Sequence, residues 1–356
     1  MCGTLHYRLA MPSRLDLTSP PGVTISQLKC PESMFGFLRP SAAKPQASHG
    51  WIKAEQAIMG TLISVELWSE QRADGEAAIE AVMQEMHRID RSMSPYKADS
   101  ELSAINRDAA QGPVAVGSEM LHLMKCAAYF SQLSNGAFDI TYAAVGRLYD
   151  YRQHIRPTDE QLEKARLAVG YRNLILDHEA RTVRFAQPDM CIDLGGFAKG
   201  YAVDNATRLL KERGIQHAHV SAGGDSRVIG DKRGRPWMIG VRDPAREDRV
   251  VAMLPLTDTS ISTSGDYERY FEEDGVRFHH LIDPATGRSP TGVRSVTILA
   301  EDGLTTEAFS KMVFVLGVEQ GLRLIHAQQG IDAVIVDAAG KLHYSAGLEN
   351  PSLPAT

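Results

Sequence analysis

Cysteine is scarce and scattered in this sequence. Four residues, Cys2, Cys30, Cys126 and Cys191, are spread over a chain of 356. No two have the spacing of a metal knuckle or a redox dithiol, which leaves free thiols in a reduced compartment as the simpler reading. Positive charge is not in excess: 38 Lys and Arg stand against 44 Asp and Glu, a net charge of −6 at pH 7. That gives no basic footprint for nucleic acid. No apolar run reaches the roughly 18 residues of a membrane-spanning helix. Residues 1–50 lack the apolar stretch of a secretory signal; Met34 to Leu38 is too short and runs into Arg39-Pro40. No Gly-x-Gly-x-x-Gly opens a βαβ unit, which argues against an ordinary dinucleotide oxidoreductase. No internal repeat stands out.

What is present fits a soluble globular chain, 43% hydrophobic and 23% charged, long enough to bury a sizeable core without staples. Pro12, Pro20, Pro21, Pro31, Pro40 and Pro45 make residues 1–50 read as a flexible leader. Part of it can be an over-extended start, with Met34 the alternative. Residues 51–356 then form the folded domain.

Regular structure is expected from Trp51. Ile58 to Trp68 alternates like one strand, with Ile63, Val65 and Leu67 on one face. Ile79, Val82, Met83, Met86 and Ile89 recur at helical spacing, and that helix ends before Ser94-Pro95-Tyr96. Met120 to Leu133 is a second helix, closed by Asn135-Gly136. Thr158 to Gln161 is a capping box. Residues 173–177 and 181–185 read as a hairpin. Strands are expected at 217–221, 237–241, 251–256, 261–263, 295–300, 331–336 and 342–344, with helices at 305–316 and 318–328. Strands and helices intermix without a βαβ rhythm, which predicts the α+β class.

Four stretches carry candidate chemistry. In the first, a short apolar strand, Met190 to Ile192, runs into Asp193, then Gly195-Gly196, then a helix start with Lys199 in its first turn. Glycines let a ligand approach the backbone, and a helix start offers free N–H groups to anions. The same residues also fit a tight turn with a capping Asp and a solvated Lys. The second, Gly136-Ala137-Phe138-Asp139, can seat a flat ring beside a carboxylate, or Phe138 is core and Asp139 a helix cap. A second glycine corner, Gly223-Gly224-Asp225, follows a strand, where α/β ligand sites gather. In the fourth, His279 and His280 alternate faces on a strand, so only one can point at a given site. A buried His is either a general base or a structural group.

Together the motifs resemble the ApbE-like FAD:protein FMN transferases (flavin transferases). The resemblance spans roughly 58–317. It rests on MGT at 59–61, GAFDIT at 136–141, DLGGFAKGYAVD at 193–204, SAGGD at 221–225, VRDP at 241–244, TSGDYERYF at 263–271 and HHLIDPATG at 279–287. It implies one compact fold of mixed or antiparallel sheets with flanking helices. It also implies an enzyme that moves the FMN part of FAD onto a Ser or Thr hydroxyl of a target flavoprotein, through a phosphoester, releasing AMP. Met59, Tyr96, Ala137, Phe138, Asp139, Asp193, Lys199 and Leu281 match positions that hold the flavin nucleotide. His280 matches the histidine required for activity, plausible as the base for the attacking hydroxyl.

The resemblance further implies a Mg²⁺ site made by a backbone oxygen at Gly196 and two side chains on the late helix. Here those two positions hold Glu307 and Lys311, where the family carries Asp and usually Thr. A protonated Lys only donates and cannot ligate. Lys311 either makes just an i,i+4 pair with Glu307, or its ammonium stands in for part of the metal's charge. The second reading predicts weaker or altered magnesium dependence. The change also keeps open a protein that stores FAD, or hydrolyses it to FMN and AMP, without transfer. A non-catalytic assembly factor would need a partner surface, and no partner helix is visible. Many relatives are exported or lipid-anchored. Cys2 has no apolar region before it, so the expected location is cytoplasmic, or the start lies elsewhere.

Overall fold

The computed structural model describes residues 49–349. The leader expected over 1–50 therefore lies almost wholly outside the described residues, as do Cys2, Cys30 and Met34. Regular structure begins at Gly50, one residue before the expected point.

In chain order the fold opens with β1 (Gly50–Ile58) and β2 (Thr61–Ser69), then α1 (Arg72–Met93), α2 (Glu101–Asp108), β3 (Val114–Ala115) and α3 (Ser118–Leu133). A 3-10 turn at Ile140–Tyr142 leads into α4 (Ala143–Gly146) and α5 (Asp159–Arg166). Next come β4 (Leu174–Asp177), β5 (Thr182–Phe185), α6 (Ala198–Glu212), β6 (Ala218–Ala222) and β7 (Asp225–Ile229). The chain continues through β8 (Trp237–Asp243), β9 (Arg246–Leu256), β10 (Ser260–Gly265), β11 (Tyr270–Glu273), β12 (Val276–His279) and β13 (Val293–Ala300). It closes with α7 (Gly303–His326), β14 (Asp332–Asp337), β15 (Leu342–Tyr344) and α8 (Ala346–Glu349).

Eight strands form one sheet in the order β1-β2-β6-β7-β10-β13-β14-β15. Every neighbouring pair in it is antiparallel. The helices α1, α6 and α7 cover one face. Ile63, Val65 and Leu67 point into that core and are fully buried, whereas Leu62, just before them and on the opposite face, is half exposed. The β8–β9 hairpin covers the other face, packing Trp237, Val241, Leu254 and Leu256 on Val228, Ile261, Leu299 and Val334. This is the expected α+β arrangement.

Three local expectations are corrected. The strand expected over 58–68 is two strands, because Met59 and Gly60 both take positive φ (55° and 68°) and reverse the chain. That is the twist a two-residue antiparallel hairpin needs. Met190 to Ile192 pairs with no strand. Instead the Asn106 side chain holds Ile192 through both its backbone N–H and its carbonyl, at 2.8 and 2.9 Å. The sequence reading also left out α2, β1, β7 and the β11–β12 hairpin. The two late helices are continuous in α7 except at Gly317 (φ 76°, ψ −179°), where the expected break falls. Among the described residues no helix is long and apolar enough to cross a membrane.

Candidate functional site

The site is set by one close crossing. Gly200, in the first turn of α6, lies against Gly303 at the start of α7 so tightly that a Cβ on Gly200 would sit 2.0 Å from the Gly303 carbonyl oxygen. The Asp204 carboxylate fixes the crossing by accepting from the Gly303 and Leu304 N–H groups at 2.8–3.0 Å, and it pairs with Arg227 at 3.0 Å. Two helix-start donors are thereby satisfied by a residue of the neighbouring helix. The crossing places Lys199 beside Glu307. Gly200 N–H donates to Glu307 Oε2 at 2.7 Å, and the Lys199 ammonium contacts Oε1.

Lys199 also reaches Asp225 at 2.7 Å, so the helix start after the first glycine corner and the carboxylate after the second are joined directly. At the second corner, a Cβ on Gly224 would meet the Thr263 carbonyl at 2.6 Å. Ser262 donates to Asp225 at 2.5 Å, and Ser264 and Ser310 share a hydrogen bond of 2.7 Å. Lys311, one turn after Glu307, lies 3.5 Å from both Glu307 Oε1 and Ser310 Oγ. The result is a quartet of two ammonium and two carboxylate groups. The carboxylates are sunk, at 0% and 4% side-chain exposure for Glu307 and Asp225, while Lys311 and Lys199 keep 18% and 26%.

Electrostatics follows from that layout. Burial acts against charge on Lys199, but Asp225 and Glu307 outweigh it and raise its pKa. Burial lowers the pKa of Lys311, with Lys199 adding to the effect and Glu307 opposing it. Burial opposes ionisation of Asp225, yet Lys199 and Lys311 hold its carboxyl below the usual range.

His280 follows directly on β12. Burial first, then the cations Lys311 and Arg269, neighbouring His279 and Lys199, push it down to about 3. Its imidazole is neutral at physiological pH, and its buried Nδ1 has no hydrogen-bond partner among the described residues. Its backbone N–H donates to Arg269 O at 3.0 Å. The Arg269 side chain lies against Gly60, tying the first hairpin to this cleft. His279 is a structural group: buried, with Nε2 3.0 Å or less from the Pro290 carbonyl (2.9 Å) and its ring edge on Phe314.

Asp193 accepts from Gly195 N–H at 2.7 Å and from the Tyr142 hydroxyl, and burial raises its pKa. Leu281 is buried next to His280. Gly196 packs on the Phe138 ring. Phe138 itself is core, its ring on Phe130 and Phe197. Asp139 caps the 3-10 turn, accepting from Thr141 N–H and Oγ–H and, through its other oxygen, from Tyr171 N–H. Both side chains are thus engaged by the fold, as the plainer reading of that turn has it. Half-buried Ala137 is left to offer its backbone. Met59 sits in the left-handed turn beside a hollow of about 420 Å³ lined also by Thr61, His87 and Asp90. Tyr96 is 89% exposed.

For the site residues named from sequence, direct contacts join Lys199 to Asp225 and Glu307, Glu307 to Lys311, Gly196 to Phe138, and His280 to Arg269, whose side chain lies against Gly60. Sequence reasoning did not single out Tyr142, Arg269, Asp225, Ser262 or Ser310. Arg269 and Asp225 were inside quoted motifs, but their partners are remote in sequence.

A divalent ion at Glu307 and Lys311 does not fit these residues. Glu307 already accepts from Lys199, Lys311 and Gly200 N–H. The groups with most access to the cleft are ammoniums, which have no lone pair. No group of three His, Cys, Asp or Glu suited to a metal occurs among the described residues.

An antiparallel sheet with helices on one face joins the two glycine corners through the Lys199–Asp225 pair, with His280 near the same cations, and this architecture is shared with flavin transferases. Comparison with known proteins agrees: the ApbE family model matches residues 59–335. The chain belongs to the ApbE family. It is 32% identical to the FAD:protein FMN transferase of Treponema pallidum over 82% of this chain and 86% of that protein. It is 34% identical to the Vibrio cholerae protein of the same name, over 76% and 83%. Among solved structures, the ApbE protein of Thermotoga maritima superposes with a TM-score of 0.78 at 35% identity, covering 83% of this chain and 97% of that one. The flavin transferase ApbE from Vibrio cholerae gives 0.76 at 30% identity, covering 85% and 99%.

Proposed function

We propose that this chain transfers the FMN moiety of FAD to a Ser or Thr hydroxyl of a target flavoprotein. The observation that carries the reading is the joining of both glycine corners by the Lys199–Asp225 pair, with Lys311 and a half-buried, neutral His280 nearby. The acceptor O–H attacks the phosphorus on the FMN side of the diphosphate, a new P–O bond forms, the bridging P–O bond breaks, and AMP leaves. A hydroxyl is a poor nucleophile until a base takes its proton. In this reading His280 is that base, and its buried Nδ1 has no hydrogen-bond partner among the described residues. The diphosphate's negative charge offsets the Lys311, Arg269 and Lys199 charges that add to burial in depressing His280, so substrate binding shifts its basicity upward. Lys199 and Lys311 offset charge on the phosphate oxygens. In this reading Asp193 and the Met59 turn hold polar parts of the nucleotide.

Magnesium is implied by the family resemblance, and Glu307 and Lys311 are where this chain departs from it. Magnesium dependence is accordingly altered, and no step above is routed through a metal. That same departure favours the second reading, storage of FAD or its hydrolysis to FMN and AMP. Incubation with FAD and an acceptor carrying the target Thr separates them by mass spectrometry. A gain of one FMN on the acceptor supports transfer, with His280→Asn losing about 10²–10⁴-fold in rate. AMP with an unmodified acceptor, or intact bound FAD, overturns it.

A further inference from the structure

The quartet is layered, with its cations outward. Glu307 and Asp225 form the floor, with side chains 0% and 4% exposed, and the Lys199 and Lys311 side chains that pair with them keep 26% and 18% exposure. A cation entering from the cleft meets positive charge first, whereas an anion meets donors. Lys199 is committed, at 2.7 Å to Asp225 and in contact with Glu307. Lys311 is not: its two contacts are both at 3.5 Å, at the limit of hydrogen bonding, and it has three donors. Ser310 and Ser264 are occupied with one another and supply no competing anion.

We propose that the Lys199–Lys311 pair is the resident counter-charge for the substrate's diphosphate, so that this chain binds FAD without a divalent cation. Lys311 supplies the new contact and Lys199, pinned by two carboxylates, fixes where it falls. Glu307 acts as the floor that orients both ammoniums rather than as a metal ligand. The inference rests on the reading of the chain as an FAD-binding transferase.

The test is FAD affinity of the full chain by flavin fluorescence, in EDTA and in excess MgCl₂. Affinity is expected to agree within about twofold between the two conditions. Lys311→Met is expected to weaken FAD by about 10–100-fold in either condition, as loss of a charge-assisted contact does, with Lys311→Arg retaining most of the affinity. A thermal melt of each variant separates loss of binding from loss of fold. Mn²⁺ titration followed by electron paramagnetic resonance, without FAD, should show no bound ion in the parent. The double variant Glu307→Asp with Lys311→Thr should gain a bound ion. Binding of FAD that collapses in EDTA, or Mn²⁺ held by the unliganded parent, overturns the inference while leaving the transferase reading intact. Folded Lys311→Met with parental affinity also overturns it. Failure to bind FAD in both buffers instead sinks the underlying reading.

Discussion

Substituting Gly200 by Ala puts one methyl group into the α6–α7 crossing, and its consequence can be worked from distances. The new Cβ would lie 2.0 Å from Gly303 O and 2.5 Å from Gly303 C, against about 3.4 Å for an ordinary contact. Both obstacles are backbone, so no side chain can swing aside. The helix starts must separate by roughly 1.4 Å, the difference between those distances. Gly200 N–H, now 2.7 Å from Glu307 Oε2, would then lose its bond. Overpacking of this kind costs about 1–3 kcal/mol, and the helical preference of Ala over Gly returns about 1 kcal/mol. The lost hydrogen bond to a charged group adds about 1.5–3 kcal/mol, so the net destabilisation is about 1.5–5 kcal/mol and Tm falls measurably. Function suffers as well, because a misplacement of about 1 Å can cost about 10²-fold. The assay is kcat/KM for FMN transfer beside a thermal melt. A Gly200→Ala protein within about twofold of parental kcat/KM would show that the crossing does not set the site.

Other outcomes follow from the same geometry. Asp225→Asn leaves Lys199 with Glu307 alone, so urea denaturation should show a loss near the low end of the roughly 3–5 kcal/mol typical of a broken buried pair. His280 is held neutral in the fold at about 3, below its ordinary 6.5. Its share of stability is full above 6.5 and is lost as pH falls from there toward 3. His280→Asn should accordingly narrow the gap between urea midpoints at about pH 7 and about pH 5. Because the bound diphosphate raises the His280 pKa, the acid limb of kcat should lie at higher pH than that of kcat/KM. Coincident limbs would remove His280 as the titrating base.

Much of the scaffold was legible because it is periodic. The buried stripe of α1, the alternation of β2 and the capping box of Thr158 with Gln161 are local patterns, and each forms as expected. The hairpin at Met59 was not, since a Met at φ 55° carries none of the usual turn chemistry. Met190 to Ile192 looked like a strand because it is apolar, yet its backbone partner is the side chain of Asn106, which no nearby periodicity announces. For the site, helical spacing placed Lys311 over Glu307 correctly. The bond between Lys199 and Asp225, and that between Tyr142 and Asp193, join segments distant in sequence. Such pairings depend on how the helices cross, and that is decided by packing at Gly200 and Gly303.

The break at Gly317 divides α7 into a length that carries Glu307, Ser310 and Lys311 and a length that continues to His326. A residue without a side chain, in open space and at φ 76°, interrupts the rigid rod there. The two lengths nevertheless stay packed across the break: a Cβ on Gly321 would meet Val313 Cγ1 at 2.7 Å, and Ile325 is buried in the same core as Phe314. Packing changes beyond the break are therefore passed back through Val313 to the turn that carries Lys311, so the end of α7 stays tied to the chemistry.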